Sequence, residues 1–177
     1  MPSIIVTPIQ GFLYLGTADA AKDQESLARY KIRKILSVTN DKRHRPSPEF
    51  CKKLGIEQKI FPIDDTYFED PSHILGEDIF PWVYNAETEN IHLLVHCYAS
   101  ISRSPSLVIT YLAWHLLRHD QIPNFESAFD SAYQRVMARH GMANPQLVVL
   151  DSFLKCIGYC LPKKYWGSKL GWQKVRE

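Results

Sequence analysis

Short aliphatic stretches alternate with more polar, helix-forming stretches along the first two thirds of the chain. Strands are predicted where aliphatic residues cluster and turn residues follow, at 12–16, 31–39, 57–63 and 91–96. Helices are predicted between them, at 19–30, 49–55 and 73–89. The last of these should break near Phe80, because the proline that follows lacks an N–H donor. This alternation favours an α/β fold, with a central mixed, mostly parallel sheet flanked by helices.

Three segments with helical periodicity follow the last strand. They cover 104–119, 124–139 and 144–160. Asn124 and Asn144 are predicted to be the N-caps of the second and third helices, since a short polar side chain can accept from a free N–H of the first turn. Periodicity ends after Pro162. We therefore predict one domain over residues 1–160, followed by a basic and aromatic tail over 161–177.

Composition and charge favour a single-domain protein and give no indication of a nucleic-acid partner, a membrane span or a disulfide framework. A chain of 177 residues suits one domain with its own core, and a net charge of +2 is too small to indicate a nucleic-acid partner. The N-terminus lacks a signal-peptide pattern, and no apolar run is long enough to span a membrane. The cysteines suit neither a disulfide framework nor a paired zinc site, which favours a cytoplasmic location, with the nucleus as an alternative. They are Cys51, Cys97, Cys156 and Cys160.

The segment LLVHCYASISRSPSLVITYL, residues 93–112, places Cys97 at the end of a predicted strand and Arg103 at the start of a helix. Ligands of open α/β sheets bind at the carboxyl ends of strands, and helix N-termini bind anions. A guanidinium matches two phosphate oxygens, and a thiol in such a field is expected to ionise. A buried structural cysteine beside a surface arginine is the alternative, but this pattern favours nucleophilic phosphoryl transfer.

The sequence HCYASISRS, residues 96–104, resembles the H-C-x5-R-S/T signature of cysteine-dependent protein phosphatases, and most closely the dual-specificity group. The resemblance extends over roughly residues 10 to 158 and implies a protein tyrosine phosphatase-like fold. It implies hydrolysis of phosphotyrosine, either alone or together with phosphoserine and phosphothreonine, through a phosphocysteine intermediate, and the sequence does not decide between these two specificities. No metal or organic cofactor is expected, and the partner is a phosphorylated protein. The oligomeric state is not predicted.

The same resemblance implies a role for each site residue. Cys97 is the nucleophile, Asp65 is the general acid with Asp64 as the alternative, and Ser104 eases departure of the thiolate. His96 orients the loop, and Asn144 either supports the loop or only caps a helix. The residues expected to bind the phosphate are Tyr98, Ala99, Ser100, Ile101, Ser102 and Arg103.

One position departs from the family pattern, because Ser100 stands where the family usually has glycine. A left-handed backbone costs a residue other than glycine ~1–2 kcal/mol. A phosphate-binding interaction module with feeble turnover is therefore a second hypothesis. Phosphoinositides and RNA 5′ phosphates are alternative substrates, although the loop contains no cation that would bind extra phosphates. Sulfur transfer of the rhodanese kind is less compatible with the Asp65 context.

Overall fold

A central five-stranded sheet organises the computed structural model, which describes residues 3–64, 75–119 and 122–167. The strand order is β1-β2-β5-β3-β4. Only β1 runs antiparallel to its neighbour β2, and the other pairs are parallel. The predicted α/β fold with a mixed, mostly parallel sheet is thus confirmed. The strands are β1 Val6–Gln10, β2 Leu13–Gly16, β3 Ile32–Ser37, β4 Glu57–Ile60 and β5 His92–His96.

Helices cover both faces of the sheet. Leu93 and Val95 of β5 join the larger apolar cluster with the C-terminal helices, whereas Leu94 joins a smaller cluster with α1, α2 and α3. This alternation follows from the two-residue side-chain period of a strand. The helices are α1 Ala18–Ala21, α2 Gln24–Arg29, α3 Pro48–Leu54, α4 Phe80–Thr88, α5 Arg103–Arg118, α6 Phe125–Arg139, α7 Leu147–Lys155 and α8 Lys163–Gly167. The described residues also include a 3₁₀ turn at Lys42–His44 and a π turn at Leu75–Ile79.

The four predicted strands are confirmed, but the edge strand β1 was not predicted from the sequence. As an edge strand it buries only Ile9 fully, so its sequence does not need the apolar alternation by which a strand is recognised. The predicted helix 19–30 is two helices, since the carboxylate of Asp23 accepts from the N–H of Ser26 and caps a new helix. The predicted break near Phe80 is confirmed, because the π turn ends at Ile79 and α4 begins at Phe80.

The predicted N-cap is confirmed for α6 and wrong for α7. The side chain of Asn124 accepts from the N–H of Ser127, as expected of a cap. By contrast, α7 begins at Leu147 after Gln146, and no side chain caps it. The physical reason is a tertiary contact, because the backbone N–H of Asn144 donates to the carbonyl of Ile101 at 2.8 Å and keeps this segment out of the helix.

Residues 161–167 pack against the domain, and the expected lack of helical structure after Pro162 is wrong for Lys163–Gly167. The hydroxyl of Tyr165 donates to one carboxylate oxygen of Asp130 at 2.5 Å, and the ammonium of Lys164 donates to the other at 2.5 Å. These contacts attach α8 to α6. Across the described ranges, every helix is too short or too polar to cross a membrane.

Gly16 provides a test of the packing beside the central strand. It lies opposite His96 in the β2–β5 register, and a Cβ there would lie 2.8 Å from Leu94 Cδ1 and 2.9 Å from the carbonyl oxygen of Ile5. Since the carbonyl belongs to the backbone, Gly16→Ala should lower the free energy of unfolding by about 1–3 kcal/mol in urea denaturation. Gly141→Ala is the matched control, because a Cβ at Gly141 meets no atom within 4 Å. Equal stability of the two variants would contradict this packing.

Candidate active site

The thiol of Cys97 lies at the carboxyl end of the central strand β5. The residue is 3% exposed, and the hydroxyl of Ser104 donates a hydrogen bond to its sulfur at 3.2 Å. Ser104 belongs to the first turn of α5, which starts directly after the loop. The sequence therefore brings nucleophile and hydroxyl together through a strand, a short loop and a helix.

The backbone carbonyls of the loop after Cys97 are held by donors outside the loop. The side chains of His96 and His140 supply two of the donors, and backbone N–H groups supply the other two. Written from donor to acceptor, the bonds are His96 Nδ1 to Cys97 O at 2.8 Å, Ala18 N to Tyr98 O at 2.9 Å, His140 Nε2 to Ser100 O at 2.9 Å, and Asn144 N to Ile101 O at 2.8 Å. The loop is thus anchored from several separate segments of the chain.

Anchored carbonyls determine the direction of the loop N–H groups. In a trans peptide the C=O of one residue and the N–H of the next point to opposite sides, so each anchored carbonyl turns the following N–H away from its anchor. Within the described part of the chain, the N–H groups of residues 98–102 donate to no protein acceptor. Successive unpaired N–H groups in a loop of this kind can bind an anion, and the loop is a candidate anion-binding cradle.

The N-terminus of α5 adds to this cradle. Ser102 is the N-cap residue, but its hydroxyl accepts from the N–H of Gln146 at 3.0 Å and makes no capping hydrogen bond to its own helix. The first turn of α5 also contains no acidic residue. The free N–H groups and the positive end of the helix dipole are therefore available to an anion.

Ser100 has the backbone conformation that the sequence pattern leads one to expect of a glycine. Its φ is 59°, in the left-handed region, and its side chain is buried. The Ser100 hydroxyl lies 3.4 Å from the Ser104 hydroxyl. Because the proton of Ser104 points to sulfur, Ser100 is the donor in this pair. Serine is thus accommodated here in the left-handed backbone conformation.

Arg103 is held beneath the loop by the ends of two neighbouring strands. Its side chain is buried, and Nη1 donates to the hydroxyl of Thr39 at 3.2 Å and to the carbonyl of Ile63 at 3.2 Å. Thr39 follows β3 and Ile63 follows β4, so both acceptors lie at the carboxyl edge of the sheet. This fixes a permanent positive charge at the same edge of the sheet as Cys97, and a guanidinium there matches the geometry of an oxyanion.

His96 is neutral and orients the loop from the core side. A carbonyl can only accept, so Nδ1 carries the proton that is donated to Cys97 O, and Nε2 accepts from the hydroxyl of Ser37 at 2.7 Å. Ser37 in turn accepts from the amide of Gln58 at 3.2 Å. Burial lowers the pKa of His96 to about 4, with only partial opposition from the bond to Cys97. The predicted orienting role therefore has a geometric basis that involves no charge.

Two loop side chains lie at the surface and line the approach to the site. Tyr98 is 39% exposed and Ile101 is 42% exposed, whereas Ala99 is half-buried. The ring of Tyr98 stacks on the ring of His44 with 4.2 Å between centroids. Of the predicted phosphate-binding residues, these could therefore bind an anion through their backbone N–H groups, while the side chains of Tyr98 and Ile101 lie at the surface.

The remaining predicted residues differ in what the structure shows of them. Asn144 is next to the loop, but its contact is made by the backbone N–H, and its side chain is exposed. Asp64 is described and exposed. Asp65, the predicted general acid, lies outside the described residues.

Comparison with known proteins identifies the family of the chain. Residues 13–145 match the family described as "Dual specificity phosphatase, catalytic domain". The chain belongs to the dual specificity phosphatase family. Residues 96–104, which carried the resemblance in the sequence, lie within the matched range. The predicted family is therefore confirmed.

Relatives and solved structures of dual specificity phosphatases are similar over most of this chain. "Protein-tyrosine-phosphatase MKP1" of Arabidopsis thaliana is 31% identical over 81% of the chain, and "Dual specificity protein phosphatase 22" of Mus musculus is 31% identical over 76%. The chain spans only 16% and 64% of their lengths. The crystal structure of human DUSP28 has a TM-score of 0.68 and 23% identity, covering 88% of this chain and 95% of that one. This last likeness confirms the predicted phosphatase-like fold.

Several supports of the dual specificity phosphatase site were not predicted from the sequence. Ser37 had a usable signal, since it is a polar residue that ends an aliphatic strand and pairs with His96 in the β3–β5 register. Thr39 follows the same strand. The sequence gives no comparable signal for His140, because its link to Ser100 joins positions on different elements.

The neutral state of His96 predicts a pH dependence of stability. The pKa of His96 in the folded protein, about 4, lies below the ordinary value of 6.5. Between these two values the unfolded chain is therefore protonated at this residue and the folded chain is not. This group should therefore lower the free energy of unfolding as pH falls from 6.5 to 4, by about 3 kcal/mol at the lower end. Denaturant unfolding across this window, compared with His96→Asn, isolates the effect. A variant with the same slope as the wild type would contradict the assignment.

Proposed function

We propose that the chain hydrolyses phosphate monoesters on proteins, acting on phosphotyrosine and also on phosphoserine and phosphothreonine. The observation that carries the proposal is the position of Cys97 at the start of a loop whose carbonyls are bound by donors of the surrounding protein, which leaves the loop N–H groups without a protein acceptor among the described residues. A phosphoryl group seated in this cradle would present its phosphorus to the sulfur. Membership of the dual specificity phosphatase family supports the same chemistry.

In the first step, the Cys97 thiolate attacks phosphorus and a sulfur–phosphorus bond forms. The bond between phosphorus and the ester oxygen breaks, and the leaving oxygen takes a proton from the carboxyl of Asp65. Loop N–H groups and the guanidinium of Arg103 stabilise the equatorial oxygens, where charge is concentrated in the transition state. The products of this step are the dephosphorylated side chain and a phosphocysteine.

In the second step, water attacks phosphorus and gives a proton to the Asp65 carboxylate. The sulfur–phosphorus bond breaks, inorganic phosphate leaves, and the sulfur again carries a negative charge. The Ser104 hydroxyl, 3.2 Å from the sulfur, donates to this charge and makes the thiolate a better leaving group. All atoms and protons balance without a further reactant.

Two features of the loop bear on the competing hypotheses. Ser100 was the reason to consider a phosphate-binding module with little turnover, but it has the left-handed conformation and keeps its hydroxyl within 3.4 Å of Ser104. The loop residues 98–102 contain no cation, which argues against phosphoinositides and RNA 5′ phosphates as preferred substrates. A competition assay among phosphopeptides, phosphoinositides and triphosphate-ended RNA tests this preference, and a clear preference for either non-protein substrate would refute the protein substrate class.

The proposed reaction predicts a specific pattern of variants in aryl phosphate hydrolysis. Cys97→Ser should abolish turnover, because the alkoxide needed for attack does not form near neutral pH. Asp65→Asn should lower kcat by about 10²–10⁴-fold and remove the alkaline limb of the pH–rate profile, since the general acid must be protonated. Asp64→Asn is the matched control and should retain both kcat and that limb.

The leaving group distinguishes a general acid from a structural aspartate. The loss of kcat/KM on Asp65→Asn, which reports the first step alone, should be larger with phenyl phosphate than with 4-nitrophenyl phosphate, whose phenolate departs more readily without a proton. An equal loss with both substrates would contradict the assignment of Asp65. A folded wild type that hydrolyses neither aryl phosphates nor phosphopeptides would leave the binding module as the better hypothesis.

A further inference from the structure

Ser100 is held in a conformation that its residue type disfavours. A φ of 59° costs a residue with a Cβ about 1–2 kcal/mol relative to a right-handed backbone. The same residue contributes a peptide to the anion cradle, because its anchored carbonyl directs the N–H of Ile101. A contact that keeps Ser100 in place therefore has a direct effect on the cradle.

His140 makes that contact from the end of α6. Its Nε2–H donates to the carbonyl of Ser100 at 2.9 Å, and its Nδ1 accepts from the hydroxyl of Thr7 at 2.8 Å. The residue is buried, with a relative exposure of 2%. Burial also lowers its pKa, which keeps the ring neutral with one donor and one acceptor nitrogen. Thr7 on β1 thus selects the tautomer that His140 needs to bind the loop.

The backbone of α6 fixes the ring in this position. The N–H of His140 donates to the carbonyl of Val136 at 2.8 Å, so the residue closes the last turn of the helix, and its own carbonyl accepts from Ala143 at 2.9 Å. A short connection from there leads to Asn144, whose N–H anchors the next loop carbonyl at Ile101. Two successive loop features are therefore held by one rigid segment.

We infer that His140 is a positioning residue that holds Ser100 in its left-handed conformation and so maintains the phosphate cradle. The inference rests on the proposed function as far as catalysis is concerned, but its core is the affinity of the loop for an oxyanion. Removal of the His140 side chain leaves the Ser100 carbonyl without this hydrogen bond. The peptide can then relax toward the right-handed backbone, which has the lower free energy for serine. The N–H of Ile101 then turns out of the cradle.

The affinity for inorganic phosphate measures this effect without any catalytic step. His140→Ala should weaken phosphate binding by isothermal titration calorimetry by about tenfold, the loss of roughly one charge-assisted hydrogen bond. His140→Gln should restore binding to within about threefold, because its amide N–H reaches the same carbonyl and donates a hydrogen bond of normal length. Thr7→Val should give a smaller loss of the same sign. Arg139→Ala, at the exposed neighbouring position, is the matched control.

A double-variant cycle separates positioning from general stability. In the Ser100→Gly background, glycine takes the left-handed backbone at little cost, so His140→Ala should weaken phosphate binding by less than about threefold. The steady-state kcat/KM for an aryl phosphate should follow the same order across the variants. Circular dichroism and the melting temperature show which variants are folded, and only folded variants enter the comparison.

The outcomes distinguish this inference from the proposed function. Unchanged phosphate affinity in folded His140→Ala and Thr7→Val, or an equal loss in the Ser100 and Ser100→Gly backgrounds, overturns the positioning role. A wild type that binds no phosphate overturns it as well. A wild type that binds phosphate but has no turnover refutes only the proposed hydrolysis, and the affinities still test His140.

Discussion

The site depends on the anchoring of the loop carbonyls between Cys97 and Ile101. Each anchored carbonyl is satisfied by the surrounding protein, and the planar trans peptide then turns the following N–H to the opposite side. A backbone N–H normally pairs with an acceptor, but the N–H groups of residues 98–102 find none among the described protein groups. A bound oxyanion would accept from such groups. The loop conformation is therefore suited to the charge distribution of a phosphate.

The same anchoring residues also form hydrogen bonds to the sheet. His96 binds Ser37 on β3, and Arg103 donates to groups that follow β3 and β4. His140 binds Thr7 on β1. Most of these contacts involve neutral side chains and backbone, and Arg103, the loop amides and the end of α5 are all sources of positive charge or dipole near Cys97. Such preorganised dipoles stabilise a transition state without having to rearrange during the reaction.

Sequence reasoning was most successful where the relevant residues are close in the chain. The strand, loop and helix around Cys97, Arg103 and Ser104 follow from local patterns, and so does the helix break at Phe80. It failed where tertiary contacts override local preference: Asn144 has the composition of an N-cap, yet its N–H binds the loop. The role of His140 depends on the packing of α6 against the sheet and leaves no periodic signal. Ser100 is an intermediate case, because the family pattern indicates a left-handed position but not which contacts hold it.

The most direct test of the cradle is a titration of ¹⁵N-labelled protein with inorganic phosphate, followed by amide NMR. If the loop N–H groups bind the oxyanion, the amide resonances of residues 98–102 should shift together and saturate with one affinity, while those of the distant helix α3 stay fixed. Arg103→Ala should weaken this response by removing the permanent charge beside the loop. Phosphate-induced shifts that spare residues 98–102, or no saturable response in a folded protein, would contradict the account.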